Sequence, residues 1–405
     1  MKGEIYMPRA LWLLVIGMAV NVTGSSFLWP LNTIYIHEHL GKSLSVAGVV
    51  LMLNSAATVI GNLIGGTLFD KMGGYRSIIM GIVITLLSLA GLTIWHGWPQ
   101  YIVFLTIIGF GSGIVFPSMY AMAGSVWKEG GRKAFNSIYV AQNLGVAVGA
   151  ALGGLVASYS FQLIFFANAV LYFIFLLIAV FGYRAIESFS PTQTTNLQEN
   201  GAVKNRDKLY ALLILCGGYL LCWVGYVQWQ STISAYTREL DIPLSQYSLL
   251  WTVNGALIVL GQPLVNRLVK PFEKNIKAQI TIGILIFIGS FMVAAGAGEF
   301  SGFMTAMVIM TIGEMLVWPA VPTIADALAP KGREGFYQGI VNSTATGGRM
   351  IGPLLGGILV DVYGMAALFA VLTVLFFIAI FTTAIYDRKL KAKEKLQGQF
   401  SEATY

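Results

Sequence analysis

Two ionisable residues stand where the chain is otherwise apolar. Glu314 lies about fourteen residues into an apolar span over roughly 300–328, and Arg349 about fourteen into the next, over roughly 335–361. Consecutive spans cross a bilayer in opposite directions, so equal depth from opposite starts places both residues near mid-membrane. A lone charge at that depth costs several kcal/mol, so a partner and a function are the default reading. The pair is expected to interact directly or through water, and two roles are open to it. Glu314 is a proton-coupling carboxylate, with burial favouring the neutral acid and the nearby guanidinium favouring the carboxylate. Alternatively, the two form a static ion pair that fixes helix packing. The coupling role is favoured.

Little else in the chain suggests reactive chemistry. No phosphate-binding loop, paired catalytic carboxylates or nucleophile arrangement occurs, so neither ATP hydrolysis nor membrane enzymology has support. His37-Glu38-His39 reads as a solvated helix end and not as a metal site, so no metal and no cofactor is expected. Asn21-Val22-Thr23 matches a glycosylation sequon but falls inside a span. Asp326 reads as an interfacial cap or a partner of Lys331 or Arg333, and Asp361 as a solvated span end.

The elements that must position Glu314 and Arg349 follow from composition. Of 405 residues, 56% are hydrophobic and only 11% charged, with mean hydropathy +0.73. A soluble domain carries about twice that share of charge. Apolar stretches of roughly 20 residues recur along the whole length, which defines an all-α polytopic membrane protein. The net charge of +7 does not indicate nucleic acid, because the basic residues sit in short loops between apolar spans. Cys216 and Cys222 share one span, so no disulfide framework is expected. The first nine residues are too short for a cleavable signal, and the following span reads as a retained helix.

Twelve helices are predicted, over roughly 10–36, 44–69, 77–95, 99–127, 134–158, 161–184, 208–237, 244–268, 275–297, 300–328, 335–361 and 364–387. The polar stretch between the sixth and seventh divides the chain into an N-terminal six-helix bundle (1–185), a linker (186–207) and a C-terminal six-helix bundle (208–388), followed by a basic tail (389–405). On this count 22 of the 25 Lys and Arg residues fall on one side, leaving only Lys42 and Arg238 opposite and Arg349 inside a span. The positive-inside rule then makes both termini cytoplasmic.

The two bundles read as one module written twice. Gly145-Val-Ala-Val-Gly149-Ala150-Ala-Leu-Gly153-Gly154 and Gly348-Arg349-Met-Ile-Gly352-Pro353-Leu-Leu-Gly356-Gly357 align glycine for glycine, 203 positions apart. Glycine at every fourth position puts a groove along one helix face where another backbone approaches closely, so Gly145, Gly149, Gly153, Gly348, Gly352, Pro353 and Gly356 are packing residues. Gly111 and Gly313, and Phe116-Pro117 and Trp318-Pro319, repeat in the same sense. Parallel repeats of six helices describe a secondary transporter with an axis along the membrane normal.

The loop after span two reads Gly66-Thr67-Leu68-Phe69-Asp70-Lys71-Met72-Gly73-Gly74-Tyr75-Arg76. It resembles the G-x-L-x-D-x-x-G signature of the major facilitator superfamily, and the resemblance covers nearly the whole chain. Gly66 permits close packing, Gly73 a tight turn, and Lys71 and Arg76 hold the loop at the cytoplasmic face. Asp70 can face a helix N-terminus or a basic side chain of the other half, as a conformational latch. The Gly145 stretch is similar to the helix-five pattern of twelve-helix bacterial drug:proton antiporters. That pattern has proline where Ala150 stands, and an arginine in helix four where Leu105 stands, so the subfamily match is partial. The resemblance implies a Gly-Glu in helix ten, which Gly313-Glu314 matches.

In the superfamily, helices one, four, seven and ten line a central cavity. The resemblance assigns to it Asn21, Ser25, Trp29 and Asn32 from span one, Phe116 and Tyr120 from span four, Tyr226, Gln228 and Trp229 from span seven, and Trp318 from span ten. An aromatic, mostly uncharged cavity with one acid suits hydrophobic or amphipathic molecules, cations among them. The expectation is a monomeric carrier of a small-molecule substrate in a bacterial-type inner membrane, surrounded by lipid and working by alternating access. Proton-coupled export of drug-like compounds is the first reading, with the proton gradient as energy source. A carrier of a sugar, peptide or amino acid, and a lipid or glycolipid flippase, are the alternatives.

Overall fold

The computed structural model describes residues 7–28, 32–187, 202–261, 265, 267, 269–272 and 275–390. Trp29, much of the 186–207 linker and nearly all of the basic tail lie outside these residues. Every long element is helical: α1 (Arg9–Leu28), α2 (Leu44–Met72), α3 (Gly74–Ile94), α4 (Gln100–Val126), α5 (Arg132–Tyr159), α6 (Phe161–Ile178), α7 (Ala202–Tyr226), α8 (Leu244–Leu260), α9 (Ile276–Ala295), α10 (Phe300–Val317) and α11 (Glu334–Ile385). The last is two helices joined at Gly364, whose φ of 80° breaks the helical path. Among the described residues nine helices are long and apolar enough to cross a membrane, one of them this joined pair, and α8 is a shorter apolar helix. That is consistent with twelve crossings.

Helices are the required solution in hydrocarbon, because every backbone N–H and C=O must be bonded within its own segment. The interruptions are therefore informative. α7 ends at Tyr226 and passes through a 3-10 turn, Val227–Trp229, before a short helix, Thr232–Glu239. The sequence suggested one continuous span there. α10 ends at Val317 and resumes as Ala320–Leu328 on the far side of Pro319, which has no N–H to continue the ladder. Both breaks fall on helices that carry site candidates.

The described residues group into two compact units, Met1–Gln193 with Gly332–Gly347, and Thr194–Lys331 with Gly348–Tyr405. In the first, α2 and α3 pack on α4, and α1 packs on α5 and α6. Its core holds the ring cluster of Tyr35, Tyr101 and Phe165, with Tyr35 and Tyr101 centroids 5.0 Å apart. In the second, α9 and α8 pack on α10. Phe287, Phe291 and Phe376 join α9 to the last arm of α11. Lys277 at the start of α9 bonds Asp387 at 2.5 Å and the carbonyl of Ala384 at 2.6 Å.

The two glycine stretches do the same job in their own units. A Cβ on Gly145 would stand 2.7 Å from the Ala19 carbonyl oxygen, and one on Gly149 would collide with the Thr23 carbonyl, both on α1. In α11, a Cβ on Gly348 would stand 2.5 Å from Trp223 Cβ, and one on Gly356 would collide with the Gln228 side chain. Overpacking of such a contact costs about 1–3 kcal/mol. Gly149→Leu should therefore lower the apparent Tm in detergent clearly, while Val148→Leu, on the exposed face of α5, should leave it nearly unchanged. Equal Tm values for the two variants would contradict the close helix contact.

Candidate functional site

Glu314 is fully buried on α10, with none of its surface exposed. Its Oε1 accepts from the Asn254 side-chain amide at 2.9 Å, and the same NH2 group donates to Thr311 Oγ1, also at 2.9 Å. Thr311 in turn donates to the Met307 carbonyl one turn back. One amide thus supplies both of its protons to α10, and the carboxylate is fixed from α8. Tyr226, at the end of α7, lies in hydrogen-bonding reach of Glu314 and in the field of both Glu314 and Arg349.

Arg349 sits one residue past Gly348, and that position decides where it goes. Because Gly348 lets α11 lie directly against Trp223, the next side chain reaches over the indole, and the guanidinium carbon is 4.9 Å from the ring centroid. The other face of Trp223 is covered by Trp318, stacked at 4.4 Å and 8°. Tyr219 and Tyr226 meet Trp318 edge-on at 5.5 Å each, and Trp251 of α8 meets Tyr226 at 6.2 Å. Tyr219, Trp223 and Tyr226 recur at helical spacing on one face of α7. Arg349 itself is exposed.

The remaining candidates are placed as follows. Gln228 and Trp229 have no exposed surface, and the Gln228 amide bonds the carbonyls of Val224 and Gly352 at 2.9 and 2.7 Å. This glutamine replaces backbone bonds at the α7 break and ties α7 to α11, which is packing and not the cavity lining expected of it. Asn32 accepts from the Tyr101 hydroxyl at 2.7 Å, and Tyr120 donates to Gln142 at 3.1 Å. Ser25 donates to Val22 O, and Phe116 packs partly buried against the core of the first unit. Asn21 is fully buried, and its amide has no hydrogen-bond partner among the described residues. His37 Nδ1 lies 2.8 Å from Lys42 O, and His39 stacks on Tyr35.

The loop after α2 makes a separate site within the first unit. Both carboxylate oxygens of Asp70 accept backbone N–H bonds, from Gly335 at 2.7 Å and Phe336 at 2.8 Å. These are among the first N–H groups of α11, which have no partner within the helix and lie at its positive end. Gly66 faces the Gly335 carbonyl with no room for a Cβ, and Ser343 donates to Val59 O at 3.1 Å. Gly73 closes α2 with φ of 87°, a conformation suited to glycine. Lys71 and Arg76 flank the turn with exposed side chains.

Asn254, Thr311, Trp223, Tyr219 and Trp251 escaped the sequence reading. Asn254 carried a usable signal, being an amide inside an apolar span. The aromatic residues carried none, because a lone indole in a span is ordinarily packing.

A bundle of long apolar helices with the Glu314 carboxyl buried mid-span is the architecture of a multi-pass membrane protein. The chain belongs to the Major Facilitator Superfamily, whose family model matches residues 14–349 and 232–403. It is 64% identical over 395 residues to the MFS-type transporter YttB of Bacillus subtilis, covering 98% of this chain and 99% of the relative. It is 24% identical over 355 residues, 86% of each chain, to the multidrug resistance protein MdtH of Shigella dysenteriae. Its fold matches the crystal structure of a peptide transporter, POT, in complex with sulfate, with a TM-score of 0.72, 17% identity and 96% of each chain covered.

The Asp70 contact is directly testable. In a background with Cys216 and Cys222 replaced by Ala, a cysteine placed at Ser343 should react with maleimide several-fold faster when Asp70→Ala is added. Asp70→Asn, which keeps one acceptor, should fall between. Equal rates in all three would show that the carboxylate does not hold α2 to the start of α11.

Proposed function

We propose that this protein is a proton-coupled secondary transporter that exports hydrophobic or amphipathic compounds by alternating access, with Glu314 as the proton-carrying group. The observation that carries the reading is the setting of Glu314: a carboxyl with no exposed surface, mid-way along a span, held by Asn254 and neighboured by Tyr226. In its neutral form such a group is content in a low-dielectric site; in its ionised form it needs the amide, the phenol and the field of Arg349. Proton binding and release therefore change how α8, α7 and α11 are held to α10. That is the differential stabilisation a conformational cycle requires. Asp70 at the N-terminus of α11 is the latch of the cycle, since its two backbone bonds must part when α11 moves relative to α2.

The similarity to a multidrug resistance protein supports export of drug-like molecules as the direction and class. The loop charges support a multi-pass protein of a bacterial-type inner membrane with cytoplasmic termini. The proton gradient is the energy source, and the monomer carries the full site.

The test uses inside-out vesicles, a panel of amphipathic fluorescent compounds of either charge, and a proton gradient that can be collapsed. Wild-type protein should accumulate at least one of them in a gradient-dependent way. Glu314→Gln should reduce that accumulation at least tenfold while leaving binding measurable. Undiminished gradient-driven accumulation by Glu314→Gln would remove Glu314 from the coupling role.

A further inference from the structure

One cavity of the second unit has no part in the transport reading. It lies at the end of α9 away from the Lys277–Asp387 pair, between that helix, the arm of α11 after Gly364 and the short helix Thr232–Glu239. Its volume is about 390 Å³, and Tyr236, Phe291, Met292, Met365, Phe369 and Thr373 line it. Protein interiors are otherwise close-packed, and this is the size of an ordinary small-ligand site. From Met365 to Thr373 the wall rises about 12 Å along the helix, most of the ~15 Å half-thickness of a bilayer core.

The repeat explains why the space is there. At the same end of the first unit, Tyr35, Tyr101, Phe165 and His96 form a packed ring cluster, with centroids 5.0–6.1 Å apart. The repeat puts Tyr236, Phe303, Leu368 and Gly298 at those positions. Tyr236 still packs edge-on against Phe303, at 6.3 Å. The other two rings are gone, and a Cβ on Gly298 would meet nothing within 4 Å. Alanine completes the opening: Ala295 on α9 and Ala366 and Ala370 on α11 line it with exposed surface.

What such a space holds follows from its walls and its mouth. A bound water needs two to four polar partners. The cavity offers the side-chain hydroxyls of Tyr236 and Thr373, and Thr373 already donates to the Phe369 carbonyl. Among the described residues that line it, none is charged. Its mouth continues into an exposed apolar surface on the same two helices: Leu285 and Met292 on α9, and Val374, Phe377 and Phe381 on α11. On membrane-crossing helices an exposed apolar stripe at helical spacing is the lipid-facing side. The cavity therefore opens sideways onto acyl chains, and a chain lying in it gains dispersion contacts along both helices.

We propose that this cavity binds one acyl chain of a membrane phospholipid, in the leaflet away from the Lys277–Asp387 pair. The inference goes beyond the transport reading and does not depend on it. In the second unit the acyl chain takes the place that Phe165 and His96 take in the first. It joins the short helix after the α7 break to α9 and α11.

The experiment reconstitutes the full-length protein in vesicles of phosphatidylethanolamine and phosphatidylglycerol. A trace of the phosphatidylglycerol carries a diazirine part-way along one acyl chain, and photolabelled residues are mapped by mass spectrometry. The control is the counterpart segment 162–170 of the first unit, where Leu163, Phe166 and Val170 are exposed at the same end of their helix. Labelling of 291–295 and 365–373 should exceed that of 162–170 several-fold. The double variant Ala366→Phe/Ala370→Phe, which fills the cavity, should lose that excess and leave 162–170 unchanged. In detergent, added phosphatidylglycerol should raise the apparent Tm of wild-type protein by several degrees and that of the filled variant hardly at all. Equal labelling of the two units in wild-type protein would indicate ordinary boundary lipid and overturn the proposal, and that comparison stands even where the filled variant fails to fold. Excess labelling that survives filling also overturns it. A small apolar probe, an iodophenyl diazirine dissolved in the bilayer, is run in parallel. Labelling of the cavity by that probe with none from the phospholipid would assign the site to small apolar compounds and overturn the acyl chain as its occupant.

Discussion

Inside a bilayer, two apolar helix faces gain nothing by leaving lipid for each other, so helices hold together only where their backbones approach closely or where polar groups bond across the contact. The glycine faces of α5 and α11 satisfy the first condition. On α5 the consequence is structural: Gly145 and Gly149 bring α1 against it. On α11 the same geometry also positions chemistry. Gly348 lies against Trp223, so the side chain at 349 is carried over the indole. The placement of the guanidinium over Trp223 follows from that contact. A bulkier residue at 348 would push α11 away and separate Arg349 from the ring that holds it.

The second condition explains which polar residues are structural. Each helix break leaves carbonyls without an N–H partner, and hydrocarbon provides no water to take them. At the end of α7 the Gln228 amide takes the carbonyls of Val224 and Gly352, while its oxygen accepts from Thr232. Asn254 has a different task, since its two donors go to a hydroxyl and to an acid. Both are buried amides in apolar spans. The distinction between them is whether the partner can change its protonation state.

Much of this was legible in the sequence, for identifiable reasons. Helices follow from uninterrupted apolar runs, and the close helix contacts from glycine spacing; the cost of mid-span charge singled out Glu314, which is fully buried and bonded to Asn254. The failures share one cause: composition gives depth along a helix but not the direction a side chain takes around it. Gln228 read as cavity-lining because it is polar and central, yet it turns into the contact with α11. Trp223 escaped notice because nothing local distinguishes an indole under a guanidinium from one under leucine.

The repeat itself shows how one half of the molecule acquired the chemistry. In the first unit, the Asn54 amide of α2 lies against α4 and donates to the Leu105 carbonyl at 2.6 Å, beside Gly109. In the second, Asn254 of α8 lies at the matching place against α10, where Thr311 and Glu314 occupy the positions of Gly109 and Ser112. The helix pairing is retained and the scaffold unchanged. With only glycine opposite, the amide has a backbone carbonyl to bond and acts as a fixed pin. With threonine and glutamate opposite, its donors move to side chains, one of which can gain or lose a proton. Val146, beside Gly145, occupies the position of Arg349 beside Gly348, so the first unit also has no cation to set against an acid. Three differences on a shared packing geometry, at Gly109/Thr311, Ser112/Glu314 and Val146/Arg349, therefore separate a helix pin from a site that holds an acid and a base. The duplicated fold explains why the acid and the base need few residues beyond those the packing already supplied.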